Sequence, residues 1–179
     1  MCIRDSGRLV AELLDLSRID AGVAPLDRVT FPVDLFLAEV IGEAEVRAAG
    51  GAVSFRSVLE PAGAKGYGDR ERLHQVLANL LANARTHTPP GTTVTARLGN
   101  DNGHAVLSVV DDGPGIPATQ QPEVFERFSR GDSSRSRTGG GTGLGLSIVA
   151  AVVAAHRGTV AVESRPGHTE FTVRLPAIS

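Results

Sequence analysis

The chain has 179 residues, a formal net charge of −2 and 41% hydrophobic residues. That suits one sizeable core with a short appendage and excludes both intrinsic disorder and a global field for nucleic acid or anionic lipid. The single cysteine, Cys2, excludes an internal disulfide and fits a reducing compartment, five scattered histidines disfavour a zinc cluster, and the longest apolar run, residues 148–155, is far short of a membrane span.

Residues 1–6, MCIRDS, lack the charge-then-apolar order of a signal peptide and do not continue the pattern that follows. They read as a truncation or gene-model junction. Residues 7–21 place Leu9, Leu13, Leu16 and Ile19 at helical spacing with charges between them. A lone amphipathic helix cannot bury its own stripe, so this one requires a partner in another chain or in an absent segment. Residues 22–32 follow as a linker rich in turn formers, including Pro25 and Pro32.

Asp34 is placed to cap a helix running to about Ala49, with Leu35, Leu37, Val40, Ile41 and Val46 inward and Gly50-Gly51 as its stop. Residues 53–59 alternate as a strand does, and residues 63–69 form a short turn and strand. Residues 69–87 make a strong helix with Leu73, Val76, Leu77, Leu80, Leu81 and Ala84 on one face, stopped by Pro89-Pro90-Gly91. Residues 92–98 and 105–110 are alternating strands joined through GNDNG, a clear hairpin turn. After a polar, glycine-rich stretch come a nearly all-apolar helix, residues 144–156, and a last hairpin of residues 159–164 and 169–175 around Pro166-Gly167. Hairpin-paired strands with helices over one face make an α+β two-layer sandwich, not a doubly wound parallel sheet.

Three stretches carry chemistry. Asn79 and Asn83 lie four apart, hence on one helix face, within apolar surroundings. Buried amides need partners. Either they bond neighbouring loops, or their oxygens reach a hard cation such as Mg²⁺. Asp111-Asp112-Gly113-Pro114-Gly115 closes a strand. It is ordinary turn material, but a carboxylate there is also suited to accept from the exocyclic amine of a base, with Gly113 and Gly115 letting the backbone approach. Phe125 and Phe128 flank Glu126-Arg127, and Arg130, Arg135 and Arg137 follow in what is either a solvated loop or a lid with an arginine over a γ-phosphate. The glycines of residues 139–145 run into a helix, a natural phosphate site, without the Gly-Lys-Ser/Thr of a P-loop or the preceding strand of a dinucleotide fingerprint.

Taken together, the chain resembles the ATP-binding catalytic domain of sensor histidine kinases, within the superfamily that includes gyrase, the heat-shock-90 chaperone and mismatch-repair ATPases. The resemblance rests on four boxes in order: RLHQVLANLLANARTHTP of residues 72–89, DDGPG of residues 111–115, the Phe125–Phe128 segment continuing through Ser129-Arg130-Gly131-Asp132, and GTGLGL of residues 141–146. The last strand, FTVRLP of residues 171–176, is also typical, and the match covers about residues 28–177. It implies a Bergerat fold, with a mixed, mainly antiparallel sheet and three helices on one face, over residues 28–179. Residues 1–24, through LLDLSRIDAG of residues 13–22, resemble the end of the second helix of a dimerisation and phosphotransfer hairpin.

The resemblance also implies roles. Asn83 ligates Mg²⁺ with help from Asn79, and Asp111 binds adenine. Gly113, Gly115 and Ile116 shape the base pocket. Gly141, Thr142, Gly143, Leu144, Gly145 and Leu146 bring backbone to the phosphates, Arg85, His87 and Phe128 complete the nucleotide-binding set, and Arg127 or Arg130 meets the γ-phosphate. The implied activity is transfer of the γ-phosphoryl of Mg·ATP to a histidine of the hairpin in a full-length homodimer, with a response-regulator receiver downstream and no role for nucleic acid. The implied location is cytoplasmic, in a parent anchored in the bacterial inner membrane.

Three positions depart from the pattern. None of His74, His87, His104, His156 and His168 stands in the context of a phosphoacceptor, so the acceptor is not in this chain. Thr86 stands where relatives often carry lysine, and the turn at Pro166-Gly167-His168-Thr169 lacks the usual second glycine. Alternatives are a hydrolysing ATPase of the same superfamily, an anti-sigma-type serine kinase and a non-catalytic nucleotide sensor. Hydrolases of this superfamily place a glutamate base four residues before the metal asparagine; here that residue is Asn79, which cannot take a proton from water.

Overall fold

A computed structural model describes residues 3–22, 25–48, 53–60, 65–128 and 143–176. In chain order the elements are α1 (Ile3–Asp20), β1 (Arg28–Pro32), α2 (Val33–Arg47), β2 (Val53–Leu59), β3 (Lys65–Asp69), α3 (Arg70–His87), β4 (Thr92–Asp101), β5 (His104–Asp111), a 3-10 turn (Gln121–Glu123), α4 (Gly145–Ala155), β6 (Thr159–Arg165) and β7 (His168–Pro176). Five strands form one sheet in the order β2-β4-β5-β7-β6. Only β2 and β4 run parallel, and every other neighbour in that sheet is antiparallel. The expected two-layer α+β sandwich with a mixed, mainly antiparallel sheet is therefore present, with α1 as a fourth helix.

The period-2 strands send one row of apolar side chains inward. Val94, Ala96, Leu107, Val109, Phe171 and Val173 meet Val76, Leu77, Leu80 and Leu81 of α3 and Ile148, Val149 and Val152 of α4 in one buried core. Fully burying a side chain of this size contributes about 1.5–3 kcal/mol, so this layer dominates the favourable terms. The β4–β5 hairpin turns at Asn102 and Gly103, with φ of 50° and 77°, the positive pair of a type I′ turn. α3 starts with Asp69, whose carboxylate accepts from the Arg72 N–H at 3.1 Å. His156 locks the end of α4 to the start of α3. Its Nδ1 donates to the Val152 carbonyl at 2.9 Å, and its Nε2 accepts from the Asp69 N–H at 3.1 Å.

Three expectations are corrected. The linker of residues 22–32 contains β1, which pairs antiparallel with β3 in a separate two-stranded sheet. Its alternation is too short to announce a strand, and only β3 supplies the partner. The helix expected from Asp34 begins at Val33, after Pro32, with no side-chain cap. Asp34 lies in its first turn and accepts from the N–H of Leu35. The buried stripe is Val33, Phe36, Leu37, Val40, Ile41 and Ala44, which leaves Leu35 64% and Val46 75% exposed. The stop proposed at Gly50-Gly51 lies outside the described residues.

The third correction concerns α1. Its stripe is partly covered within this chain: α1 packs on α4, with Leu16 1% and Ile19 8% exposed. Asp15 receives both terminal nitrogens of Arg72 on α3. The Arg72 guanidinium holds the Asp15 carboxyl below its ordinary range. Val10 and Leu14 remain exposed on the same helix. Between α2 and α3, Glu39 pairs with Arg70 and Glu43 with His74, fastening the helices at their solvent edge, while Arg47 pairs with Glu43 within α2. Among the described residues, no helix is long and apolar enough to cross a membrane.

Candidate functional site

The end of β5 meets the end of α3 at a glycine turn. Asp111 is the last residue of β5 and only 5% exposed. Its Oδ1 accepts from the N–H of Gly113 at 3.0 Å. Burial pushes the Asp111 carboxyl above its ordinary value, opposed by that hydrogen bond, with neighbouring Asp112 raising it and His168 lowering it. A Cβ on Gly113 would come within 2.7 Å of both Asp111 Oδ1 and Thr88 Cγ2. Thr88 is itself held by its hydroxyl donating to the Ala84 carbonyl at 2.7 Å. Asp112 faces solvent and accepts from the Thr93 N–H, a turn role away from the pocket.

The loop then passes close over the β6–β7 hairpin. Gly115 has φ +85°, and a Cβ there would sit 2.6 Å from the Arg165 carbonyl oxygen, so both conformation and space require glycine. Gly167 N–H donates to Gly113 O at 2.9 Å. Ile116 N–H donates to Ser164 Oγ at 2.8 Å, and Gln121 Nε2 donates to the carbonyls of Ile116 and Ser164.

The second half of the site is the start of α4. Asn79 on α3 donates its amide to the Gly145 carbonyl at 3.2 Å, and a Cβ on Gly145 would lie 3.8 Å from Asn79 Cγ. That is an ordinary contact, so the hydrogen bond, and not a missing side chain, is what ties the two helices here. Asn83 follows one turn along α3, half-buried, with no side-chain hydrogen bond to another described residue. α4 has no side-chain cap and no acidic residue in its first turn. Its ladder begins with Ile148 N–H to Leu144 O, so the N–H groups of the opening turn, including Gly145, Leu146 and Ser147, have no intrahelical acceptor. Such an end favours an anionic ligand. The Leu144 side chain is fully buried in the core and so offers a ligand no side-chain contact.

Arg85 and His87 are exposed on the last turn of α3, and Arg127 is exposed beside Phe128. Phe128 has φ +60° and is 56% exposed, and its N–H donates to Gly143 O at 3.0 Å, tying together the two ends of the stretch between them. Phe125 anchors the approach by packing edge-on against Phe171, with ring centroids 6.1 Å apart. Arg130, Gly141 and Thr142 lie outside the described residues. The structure thus gathers Asp111, Gly113, Gly115 and Ile116 at one end and Asn79, Gly143, Gly145 and Leu146 at the other, with Asn83 on the helix between. Sequence reasoning missed Thr88, Gln121, Ser164 and Thr169. The last is buried and opposite Asp111 in the β5–β7 pairing, which strand alternation inward of Phe171 already hinted.

Comparison with known proteins agrees with this geometry. The family described as "Histidine kinase-, DNA gyrase B-, and HSP90-like ATPase" matches residues 68–179. "Probable sensor histidine kinase TcrY" of Mycobacterium tuberculosis is 56% identical over 94% of this chain and 35% of its own length. The chain spans about a third of the length of curated relatives of this kind. Among solved structures, full-length ShkA in complex with AMPPNP has a TM-score of 0.85 at 28% identity, covering 98% of this chain and 38% of that one. The mycobacterial sensor histidine kinase MprB has a TM-score of 0.66 at 34% identity, covering 84% of this chain and 97% of that one. With a match over more than half its length and sensor histidine kinases as its relatives, this chain belongs to the family of histidine kinase-, DNA gyrase B- and HSP90-like ATPases.

Proposed function

We propose that residues 28–179 are the ATP-binding catalytic domain of a sensor histidine kinase, binding Mg·ATP and delivering its γ-phosphoryl to a histidine on a helical hairpin of the full-length homodimer. A response-regulator receiver domain then takes the phosphoryl group. The parent is anchored in the inner membrane, with this domain in the cytoplasm. The observation that carries the reading is the span of α3. Asn79 reaches the start of α4, and Thr88, nine residues on, packs on Gly113. At 1.5 Å per residue that separation is about 13 Å, the order of an extended nucleoside triphosphate.

Base, metal and phosphate then have distinct seats. Asp111 accepts from the exocyclic amine of adenine, and the Gly113–Ile116 backbone lies against the ring. The donor set on α3 fits Mg²⁺: two amide side chains offer hard oxygens, Asn83 lacks a described partner, and Asn79 uses its nitrogen, not its oxygen, on Gly145. Magnesium supplies neutralisation of phosphate charge. The N–H groups at the start of α4 hold the phosphates, and Arg127 or Arg130 meets the γ-phosphate. Catalysis is positioning and charge stabilisation; Asn79 offers no base to activate water.

Residues 1–24 belong, in this reading, to the hairpin's second helix. Exposed Val10 and Leu14, one turn apart and away from buried Leu16 and Ile19, support a second packing face on α1. The experiment supplies a separate histidine-bearing hairpin and labelled Mg·ATP. Label on the hairpin histidine is expected; label appearing only as inorganic phosphate would replace the kinase by a hydrolase.

A further inference from the structure

We propose that Gln121 and Ser164 are positioning residues of the base pocket, locking the loop of residues 113–116 in the form that receives the base without touching the nucleotide. The inference rests on the nucleotide reading above. Pro114 fixes one φ of the loop, but Gly113 and Gly115 on either side of it leave backbone freedom that outside contacts must remove. One end is held by Gly113, whose N–H bonds Asp111 and whose carbonyl accepts from Gly167. The other end is Ile116, and both of its backbone polar groups are taken by side chains from outside the loop. Its N–H goes to Ser164 Oγ at 2.8 Å, and its carbonyl accepts from Gln121 Nε2 at 2.8 Å.

The same Gln121 nitrogen donates to the Ser164 carbonyl at 2.9 Å, so one amide spans loop and strand. Ser164 Oγ also lies 2.8 Å from Thr169 Oγ1, and Thr169 pairs with Asp111 across β5 and β7. The height of the loop over the Asp111 carboxylate is thereby set through Ile116, Ser164 and Thr169. Gln121 and Ser164 are half-buried polar residues outside the apolar core. Their loss loosens the loop and leaves the core layers intact. Because they serve the base end, their effect is the same whether or not phosphates are present.

The test titrates the chain calorimetrically with adenosine, ADP and Mg·ATP, comparing wild type with Gln121→Met, Gln121→Ala, Ser164→Ala and Ser164→Thr, alongside thermal unfolding. Gln121→Met keeps the length and removes both donors without adding charge. Gln121→Ala keeps the test decisive if that variant does not fold. Affinity is expected to fall about three- to ten-fold, by one common factor for all three ligands. Melting temperature stays close to wild type, and Ser164→Thr, which keeps the hydroxyl, restores binding. Wild-type binding with variants unchanged overturns the inference, as does a loss that grows with the number of phosphates. Failure of wild type to bind any of the three instead overturns the nucleotide reading beneath it.

Discussion

Asn79 donates its side-chain amide to the carbonyl oxygen of Gly145, 3.2 Å away, joining α3 to the first turn of α4. An ionised glutamate in that place has no proton to donate. In the proposed reading, the residue that cannot act as a base thus also makes the tie between the two helices that carry the phosphate end. Asn79→Leu keeps the size and removes both the donor to Gly145 and the amide oxygen proposed for the metal. Affinity for Mg·ATP is expected to fall at least about ten-fold, for the lost bond and the lost oxygen, while adenosine binds as before. Calorimetric titration with both ligands reads the difference.

In the proposed reading, Asn83 separates metal from base. Asn83→Ala should abolish the Mg²⁺-dependent part of ATP affinity and leave adenosine affinity unchanged. Titrations of ATP with and without Mg²⁺ check this. A variant that still gains affinity on adding Mg²⁺ would remove Asn83 from the metal seat.

Asp111 joins function to a stability cost. Its carboxyl is raised by burial, so folding favours its neutral form relative to its ionised one. The stability attached to that preference is present at pH below the unfolded carboxyl value and is lost as pH rises through the folded one. At pH 7 the cost of the buried charge is therefore in force, and Asp111→Asn relieves it while an amide oxygen still accepts from Gly113. The variant should melt at or above the wild-type temperature at pH 7, with that advantage vanishing in acid. Adenine affinity should fall by about 10- to 150-fold, the worth of a charge-assisted hydrogen bond. Calorimetric scans and titrations on one preparation measure both, and a lower melting temperature at pH 7 would contradict the argument.

Gly115 tests how closely the loop crosses the hairpin. Gly115→Ala meets an unfavourable φ of +85° and a carbonyl oxygen 2.6 Å from the new Cβ. A loss of about 1–3 kcal/mol in urea unfolding is expected, together with weaker adenine binding. Gly91→Ala, also at positive φ but with nothing within 4 Å, serves as the control that keeps full binding.

Asp15 and Arg72 govern the docking of α1. The depressed Asp15 carboxyl contributes stability above the ordinary carboxylate value of 3.8, lost as pH falls through the lower folded value. Both side chains are about a quarter exposed, so Arg72→Ala should cost only about 1 kcal/mol. Hydrogen exchange is expected to speed up in residues 8–20 of that variant while β5 and β7 keep their protection. Faster exchange throughout the chain would mean that the pair supports the whole fold.

Local pattern carried much of this protein into view. The apolar face of α3, the Asn102-Gly103 turn and the two glycine boxes flanking Phe125 and Phe128 are legible because helix period, turn chemistry and motif spacing are written in neighbouring residues. The phase of α2 was misread because Leu35 and Val46 are as apolar as the residues that face inward, and only packing against the sheet chooses among them. β1 was invisible because a five-residue strand needs its partner β3, some 35 positions on, to be a strand at all. The docking of α1 on α4 and the ties from Thr88, Ser164 and Thr169 to the Asp111 loop join residues tens of positions apart, and Gln121, close to Ile116 in the chain, also reaches Ser164, 43 positions on. The sequence by itself determined the element order apart from β1, the core face of α3, and the kinds of group that the proposed reading assigns to base, metal and phosphate. Only the tertiary structure decided which of those groups meet and how tightly the loop over Asp111 is held, because side-chain hydrogen bonds between distant segments leave no periodic trace along the chain.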